Sequence, residues 1–391
     1  MVHSVLIATA TTISPLHFMC RLSFRIMHSS LGQSNMEFST NDAFNATEEI
    51  ADSINYPNLR LYTIADTAAD TPQYDGKSKS NYTWGVSGPS SFVPVGGAAF
   101  SYFSATCYFF GRDLYTGLDG QVPIGLVASD WGGQTVECFS SPDALADTTC
   151  GGTRPSGDGP IFIADVFEKQ EAERMSLQSG DPVPNPGPTQ LWYGQIYPFL
   201  NMRFTGAVWY QGEANAGDPS SYACRFPAMI ADWRKKFELP DLSFFFVQLA
   251  AYSSDYSLIR QAQMTALLLP KVGYATAIDL GDPTSPHGNI HPRRKQEVGR
   301  RLSLSCRHIQ YGEDIVYVGP TVQSIDLNAS TTTPNSTRVV VVFNASTADT
   351  MHYSGTAACE ACCSEPPFQV QFKDNSAVRV CACTQESPAL S

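Results

Sequence analysis

Residues 205–249 read TGAVWYQGEANAGDPSSYACRFPAMIADWRKKFELPDLSFFFVQL. The stretch opens with a short apolar run at Thr205–Tyr210 and closes with another at Ser243–Leu249. Between them, residues 221–237 carry apolar side chains at the i, i+3 and i+4 positions of an amphipathic helix. Short apolar runs joined by helices are typical of buried strands in a parallel sheet. The stretch therefore predicts a strand–helix–strand unit.

The same alternation continues on both sides of this unit. Apolar runs at Pro123–Ala128 and Gly273–Ile278 predict two more strands. Helical spacing recurs in three further segments, residues 160–178, 190–203 and 257–269. Strands and helices in alternation predict an α/β protein of three layers, with a sheet between two layers of helices.

The two ends of the chain have a different character. Residues 311–391 alternate short β-rich segments with Thr, Ser, Asn and Pro turns, which predicts a small C-terminal β-rich region. Residues 1–30 predict an irregular segment, either a poor signal peptide or the remnant of a truncated β-domain. Its last part carries Arg25 and His28 and is expected to make a poor buried strand, because unpaired charges do not enter a core. The α/β domain is expected at residues 31–310.

Composition excludes several classes of protein. Of the 391 residues, 43% are apolar and 16% charged, so the chain is neither disordered nor a coiled coil. The net charge of -12 repels phosphate backbones and argues against a nucleic-acid partner. No apolar run reaches the roughly 18 residues that would cross a membrane, so no membrane partner is expected.

The cysteines and the glycosylation sequons indicate the compartment in which the protein folds. The chain has eleven cysteines and five Asn-x-Ser/Thr sequons, at Asn45, Asn81, Asn328, Asn335 and Asn344. Together they favour an oxidising, glycosylating route and a lysosomal or secreted destination. The cysteines of CEACC (359–363) and CAC (381–383) are expected to pair as disulfides within the C-terminal region, with a zinc cluster as the rival interpretation. Cys20 is the expected unpaired thiol.

Four segments place polar side chains after predicted strands, where parallel sheets build their sites. They are LGQSNMEF (31–38), ASDWGGQTVECF (128–139), VWYQGEANAGD (208–218) and DLGDPTSPHGNIHPRRKQEVGRR (279–301). The first offers Ser34 in a turn after a glycine, a candidate nucleophile. The second offers backbone N–H groups in the pair Gly132 and Gly133, which suit an oxyanion. The third offers the polar side chains Gln211, Glu213 and Asn215.

The fourth segment offers a histidine base and argues against a metal. His291 precedes a helix predicted to open at Pro292, and it is the candidate general base for Ser34. His287 lies four residues earlier, but the prolines and glycine around the pair prevent a helical pair of ligands, and an HExxH motif is absent. No metal and no organic cofactor are therefore expected.

In this order the motifs GQSNM, DWGGQ, WYQGEAN and IHPRRKQEVGRRL resemble the sialate O-acetylesterase family of the SGNH-hydrolase superfamily, over about residues 31–310. The resemblance implies a flavodoxin-like sheet and serine-esterase chemistry, with Ser34 as nucleophile and His291 as base. It implies an oxyanion hole made by the N–H groups of Ser34 and Gly133 and by one side-chain amide. Gln211 is the first choice for that amide and Asn215 the second.

Two parts of the implied site stay open. Related enzymes often carry an Asp three residues before the histidine, where this chain has Gly288. The group that orients the histidine is therefore expected to be Asp282 or a backbone carbonyl near Asn289. For an anionic sugar an arginine is expected in the pocket, and Arg260, Arg293 and Arg294 are the candidates. The substrate-binding residues expected are Gln33, Asn35, Glu213 and Arg260.

Three functions follow as hypotheses. The first is an esterase that removes O-acetyl groups from sialic acids, so that the partner is an O-acetylated sialic acid or a related acetylated glycan. The second applies the same chemistry to another acetylated carbohydrate such as acetylxylan. The third, from another class, is a catalytically inactive, truncated homologue that binds glycans.

Overall fold

A computed structural model describes nine stretches of the chain, residues 26–79, 84–92, 100, 103–146, 150, 186–329, 338–348, 368–371 and 377–380. Three sequence predictions lie outside these residues: the N-terminal segment as far as residue 25, the helix over 160–178, and the cysteine pairing within 359–363 and 381–383. The free thiol proposed at Cys20 lies outside them as well.

Seven strands form the central sheet. They are Ile26–Gly32 (β1), Leu59–Thr63 (β2), Gly85–Val86 (β3), Ile124–Asp130 (β4), Gly206–Tyr210 (β5), Ser243–Gln248 (β6) and Val272–Thr276 (β7). Their order is β3-β2-β4-β1-β5-β6-β7, and every neighbouring pair is parallel except β3 with β2. The four strands predicted from apolar runs are β4, β5, β6 and β7, and all four are confirmed.

The register of the sheet brings the ends of three strands to one place. Gly32, the last residue of β1, pairs with Asp130 at the end of β4 and with Tyr210 at the end of β5. The segments that follow these strands therefore leave the sheet side by side. Because the ends of parallel strands meet at one edge, three of the four polar segments converge here.

Helices cover both faces of the sheet. The α-helices that the structure describes are, in chain order, Ser34–Glu37 (α1), Ala46–Asp52 (α2), Ala105–Gly117 (α3), Pro142–Leu145 (α4), Pro219–Lys236 (α5), Ser257–Gln263 (α6), Lys295–Tyr311 (α7) and Ala345–Ala348 (α8). Helices α3 and α7 pack on each other and on one face, while α5 packs on the other. Strand β6 shows the alternation, because Phe244 and Phe246 contact Phe226 of α5 at 5.8 and 5.5 Å. The predicted three-layer α/β/α architecture is confirmed.

Of the three predicted helices that fall in the described residues, two are confirmed and one differs in type. The helix predicted over 221–237 is α5, and the one predicted over 257–269 is α6 followed by a tighter turn at Met264–Leu268. The segment 190–203 forms a wide π turn at Trp192–Ile196 and then a tight turn at Tyr197–Phe199. Pro198 lies in this second turn and has no N–H to continue a regular helix.

Strand β1 corrects the prediction for the N-terminal segment. Residues 26–30 were expected to be irregular, but they belong to β1, which is buried throughout and lies at the centre of the sheet. His28 enters the core because it is neutral there: burial lowers its pKa to about 3. An uncharged imidazole that packs edge-on against Phe110, with ring centroids 5.1 Å apart, escapes the penalty expected for a buried charge.

Beyond residue 311 the described residues form two antiparallel hairpins. Val322–Ala329 (β8) pairs with Arg338–Phe343 (β9), and Phe368–Gln371 (β10) pairs with Ala377–Val380 (β11). These strands agree with the β-rich character predicted there, and the domain boundary itself stays a prediction. Among the helices that the structure describes, none combines the length and the apolar composition needed to cross a membrane.

Candidate active site

Ser34 lies at the turn between β1 and α1. Gly32 ends the strand with a φ of +151°, and a Cβ there would lie 2.1 Å from the carbonyl oxygen of Tyr210. The next residue, Gln33, donates its N–H to that same oxygen at 3.1 Å. Glycine is therefore required at position 32, because only an absent side chain lets β5 come so close. The turn places Ser34 as the first residue of α1 with 6% of its surface exposed.

His291 contacts Ser34 directly. Its Nε2 lies 2.8 Å from Oγ of Ser34, and its Nδ1 lies 2.7 Å from the carbonyl oxygen of His287. A carbonyl can only accept, so Nδ1 carries the proton and Nε2 is left to accept from the serine hydroxyl. Burial lowers the pKa of His291 to about 4, which keeps the ring neutral near pH 7. This is the protonation state that a general base needs.

Asp282 does not occupy the position considered for it. Its two carboxylate oxygens accept from Arg293, Oδ2 from Nε at 2.6 Å and Oδ1 from Nη2 at 3.1 Å. A third bond comes from the hydroxyl of Thr284. The partner of Nδ1 of His291 is instead a backbone carbonyl, as the alternative interpretation held. That carbonyl belongs to His287, two residues before the expected Asn289, because a turn from Ser285 to Gly288 directs it at the ring.

The glycine pair lies beside the nucleophile. A Cβ on Gly132 would be 3.3 Å from Cβ of Ser34. The N–H of Gly132 donates to Oε2 of Glu37 at 2.9 Å. Gly133 has a φ of +72°, and within the described part of the chain its N–H has no hydrogen-bond acceptor. Of the two glycines, Gly133 is therefore the one whose N–H has no acceptor among the described residues, and its role as an oxyanion donor stays a prediction.

The two candidate amides differ in their free hydrogens. Nε2 of Gln211 donates to Oδ1 of Asn215 at 2.7 Å and to the carbonyl of Gln134 at 3.2 Å, which uses both of its hydrogens. Nδ2 of Asn215 makes one bond, to Oε2 of Glu137 at 3.0 Å. The structure thus disfavours Gln211, the first choice, because its donors are engaged. Asn215, the second choice, keeps one N–H.

Three of the four expected substrate contacts form the wall of the site instead. Gln33, Asn35 and Glu213 are 0, 1 and 3% exposed. Nδ2 of Asn35 donates to Oε1 of Glu213 at 2.7 Å and to the carbonyl of Ile290 at 2.9 Å. Oε1 of Gln33 accepts from the N–H of Ala214. These bonds hold three segments of the site together and leave little surface for a substrate.

The three arginine candidates have different partners. Arg293 is bound to Asp282, and the guanidinium of Arg294 lies 5.7 Å above the ring of Phe44. Arg260 is half-buried on α6 and donates to the carbonyl of Ala250, just beyond the end of β6. It therefore lies at the same edge of the sheet as Ser34.

Lys295 is a residue of the site that the sequence reasoning missed. It is fully buried as the first residue of α7, and its Nζ donates to Oδ1 of Asn35 at 2.6 Å. The ammonium lies over the rings of Phe38 and Tyr210, 4.7 and 5.0 Å from their centroids. Burial lowers the pKa of Lys295 to about 7. Its place inside the long motif of the fourth segment was the available signal, but a lysine at a helix start is ordinarily exposed.

Comparison with known proteins agrees with this geometry. Residues 195–307 match the family described as carbohydrate esterase, sialic acid-specific acetylesterase. The chain is 37% identical over 325 residues to a mouse protein named sialate O-acetylesterase, and the match covers 76% of this chain and 59% of the relative. The human protein of that name is 35% identical over 322 residues, with 76 and 56% covered. The chain thus spans less than three fifths of the length of these curated relatives.

A solved structure extends the likeness to the fold. It is a carbohydrate acetylesterase from Xanthomonas citri, 29% identical, with a TM-score of 0.59 over 77% of this chain and 60% of that one. Its fold agrees with the resemblance drawn from the sequence motifs. The chain belongs to the sialate O-acetylesterase family of carbohydrate esterases.

Proposed function

We propose that this chain hydrolyses O-acetyl esters of sialic acids through an acetyl-serine intermediate. The observation that carries the proposal is the 2.8 Å contact between Oγ of Ser34 and Nε2 of His291, together with the carbonyl of His287 on the other ring nitrogen. A serine hydroxyl is a weak nucleophile until a neighbouring base takes its proton. Here the base is neutral and its tautomer is fixed by the carbonyl.

The reaction runs in two halves. His291 takes the proton of Ser34 while Oγ attacks the acetyl carbon, and the imidazolium then returns that proton to the departing sugar oxygen. In the second half, water attacks the acetyl-serine and gives its proton to His291, which passes that proton to Oγ of Ser34 as the acyl bond breaks and acetate leaves. We assign the oxyanion to the N–H groups of Ser34 and Gly133 and to Nδ2 of Asn215. Each such donor is worth roughly a hundredfold to a thousandfold in rate.

Sialic acid is the proposed substrate because the matching family and the curated relatives are named for it. The sugar carries a carboxylate, and Arg260 is the proposed partner for it, since its guanidinium is half-buried at the edge of the sheet where Ser34 lies. A second candidate is the same chemistry on another acetylated carbohydrate. The Xanthomonas acetylesterase favours it, because its name specifies a carbohydrate without naming sialic acid.

We also propose a lysosomal or secreted location. Two features support it within the described residues. Cys150 and Cys224 form a disulfide, which an oxidising compartment favours. Asn45 of the sequon Asn45-Ala46-Thr47 is exposed, as a glycosylated asparagine must be.

The test is release of acetate by the purified chain from 9-O-acetylated sialic acid, beside acetylated xylan and 4-nitrophenyl acetate. The Ser34→Ala variant should be inactive on all three while its Tm stays within a few degrees of the parent. Activity on acetylated xylan and not on the sialic acid would show that the substrate is another acetylated carbohydrate, and it would leave the proposed mechanism unchanged. Full activity of Ser34→Ala would refute the nucleophile. A folded parent that is silent on every ester would favour the inactive glycan-binding homologue.

A further inference from the structure

Glu37 connects the nucleophile's helix to the glycine turn. It is the last residue of α1, three positions after Ser34, and its side chain is 13% exposed. Oε2 of its carboxylate accepts the N–H of Gly132 at 2.9 Å. A hydrogen bond to an ionised carboxylate is among the stronger ones in proteins. The helix that carries the nucleophile and the turn that carries the proposed oxyanion donor are thus joined by one strong bond.

Lys79 holds that carboxylate in place. Its Nζ lies 3.2 Å from Oε1 of Glu37 and 3.1 Å from Oδ2 of Asp66, and the lysine side chain is 11% exposed. The buried Asp130 at the end of β4 adds a third carboxyl group to this cluster, and burial followed by the charge of Glu37 raises its pKa well above the usual value. Burial also raises the pKa of Glu37, and the charge of Lys79 opposes that shift. The lysine therefore favours the ionised form of Glu37.

The position of the turn makes this bond relevant to the chemistry. A Cβ on Gly132 would lie 3.3 Å from both Oε2 of Glu37 and Cβ of Ser34, so the turn touches the carboxylate and the nucleophile together. Gly133 follows immediately with a left-handed backbone, and glycine peptides have little intrinsic preference for one orientation. A donor stabilises an oxyanion only if it already points at the place where charge develops. Something must therefore fix this turn.

We propose that Glu37, held by Lys79, is a positioning residue that fixes the Gly132–Gly133 turn and so aims the N–H of Gly133 at the oxyanion. The inference rests on the proposed esterase function and adds to it two residues outside the serine, histidine and asparagine set. It also assigns a purpose to Glu37, which stands directly after the GQSNM motif.

Two substitutions at position 37 separate the role of the bond from that of the charge. Glu37→Gln keeps an oxygen that can accept from Gly132, and Glu37→Met has similar size but no acceptor. For the Glu37→Met variant we expect kcat on 4-nitrophenyl acetate to fall by about a hundredfold, as it does when an oxyanion donor is lost, while KM stays nearly unchanged. For Gln we expect a loss below about tenfold. Affinity for a methylphosphonate analogue of the tetrahedral intermediate should fall in proportion to kcat/KM.

Glu313→Gln is the matched control. Glu313 pairs with Arg307 at 2.6 Å, is partly buried like Glu37, and lies beyond the far end of α7, about 25 Å from the histidine end by the helix rise. It should keep parent kinetics. Lys79→Met is the second variant, to be used if Glu37→Met does not fold, and its loss should fall between those of Gln and Met. A Glu37→Met enzyme within threefold of the parent would overturn the proposal, and so would equal losses in Gln and Met.

The rate at which a fluorophosphonate labels Ser34 distinguishes a failure of the Glu37 proposal from a failure of the proposed esterase function. Labelling passes through the same oxyanion and needs no sugar. A parent that labels but does not deacetylate sialic acid would contradict the substrate alone, and the order of rates, parent, Gln, Met, would still test Glu37. A folded parent whose Ser34 does not label would contradict the esterase function itself.

Discussion

In the proposed site, Nδ1 of His291 has a backbone carbonyl as its partner where related enzymes often have an aspartate. The third group of such a site mainly fixes which ring nitrogen carries the proton, and a carbonyl that accepts from Nδ1 can also do this. The carbonyl of His287 is four residues from His291 in the same loop, so the ring and its partner move together. What the arrangement gives up is the negative charge that would stabilise the imidazolium during the reaction.

The role of Asp282 can therefore be predicted from its bonds. Asp282→Asn should lower kcat by less than about tenfold, where loss of a true triad aspartate costs about ten-thousandfold. The Asp282→Asn variant should also be less stable than the parent, because both carboxylate oxygens of Asp282 accept hydrogen bonds from Arg293. Steady-state kinetics and a Tm measurement on the same preparation check both parts. Asp279→Asn, which weakens a more exposed pair with Arg301, is the control, and a loss of three orders of magnitude specific to Asp282 would restore the triad.

For single residues, the sequence motifs predicted where the site lies but not which of its side chains are exposed. Ser34 and His291 are in contact, as their motifs predicted, and their catalytic roles stay a prediction. Asn35 and Glu213 were expected to face the substrate, yet they bond to each other in the wall of the site. A polar side chain after a strand can line a pocket or cross-link the loops around it, and its residue type is the same in both cases. For Asn35, the hydrogen bond from the buried Lys295 indicates that the side chain cross-links the loops and does not line a pocket.

Among the elements, β1 is the one whose prediction failed most clearly. Charged residues before the GQSNM motif argued against a buried strand, but the strand begins at Ile26, just after Arg25. It contains one ionisable side chain, His28, whose two ring nitrogens make no hydrogen bond within the described structure. A histidine can enter a core that would exclude an arginine, because losing its proton costs little near neutral pH. Composition counts both as basic and does not separate them.

His28 should make the protein sensitive to acid. Its pKa is about 3 when folded and about 6.5 when unfolded, so below about pH 6 the unfolded chain binds a proton that the folded chain does not. The free energy of unfolding should then fall by about 1.4 kcal/mol for each further pH unit through this residue. His28→Leu removes the titration and an unsatisfied polar ring. We expect it to raise Tm more at pH 5 than at pH 7.5.

Urea unfolding of parent and His28→Leu between pH 4.5 and 8 measures this difference. His308→Leu is a suitable comparison, since His308 lies near the end of α7, is only half-buried and contacts the ring of Tyr317. If the two curves for parent and His28→Leu were parallel over the whole range, the buried neutral histidine would not be a source of acid sensitivity.

For the molecule as a whole, the alternation of apolar runs and amphipathic helices was enough to predict the three layers. Strands β4 to β7 each had an uninterrupted apolar core, and their helices had clear periodicity. Strand β2 and helix α3 were not predicted, although Leu59 and Leu61 of β2 and Phe109 and Phe110 of α3 are buried. Strand β2 alternates buried and less buried residues over only five positions, and the first seven residues of α3 are all buried, so neither gave a periodic pattern long enough to identify its type. Order along the sheet depends on pairing across long separations, which a local pattern does not contain.

The disulfide between Cys150 and Cys224 joins two distant parts of this fold. Cys224 lies in α5, and Cys150 is 74 residues earlier, beyond α4. Closing a loop of that length restricts the unfolded chain and should stabilise the protein by about 4 kcal/mol. The described residues also contain three buried cysteines without a disulfide, Cys107, Cys138 and Cys306. One bond therefore carries the redox sensitivity of this part of the molecule.

The double variant Cys150→Ser and Cys224→Ser should lower Tm by about 5 °C. Dithiothreitol should lower the Tm of the parent by about that amount more than it lowers the Tm of the double variant, because the Cys150–Cys224 bond is already absent there. Cys306→Ala, which removes a buried thiol outside the bond, should respond to the reductant like the parent. The kinetics of the folded double variant should stay close to those of the parent, since neither cysteine contacts Ser34 or His291 in the described structure. A parent whose Tm does not change after full reduction, verified by thiol titration, would show that the bond does not stabilise the fold, and would remove one of the two supports for an oxidising location.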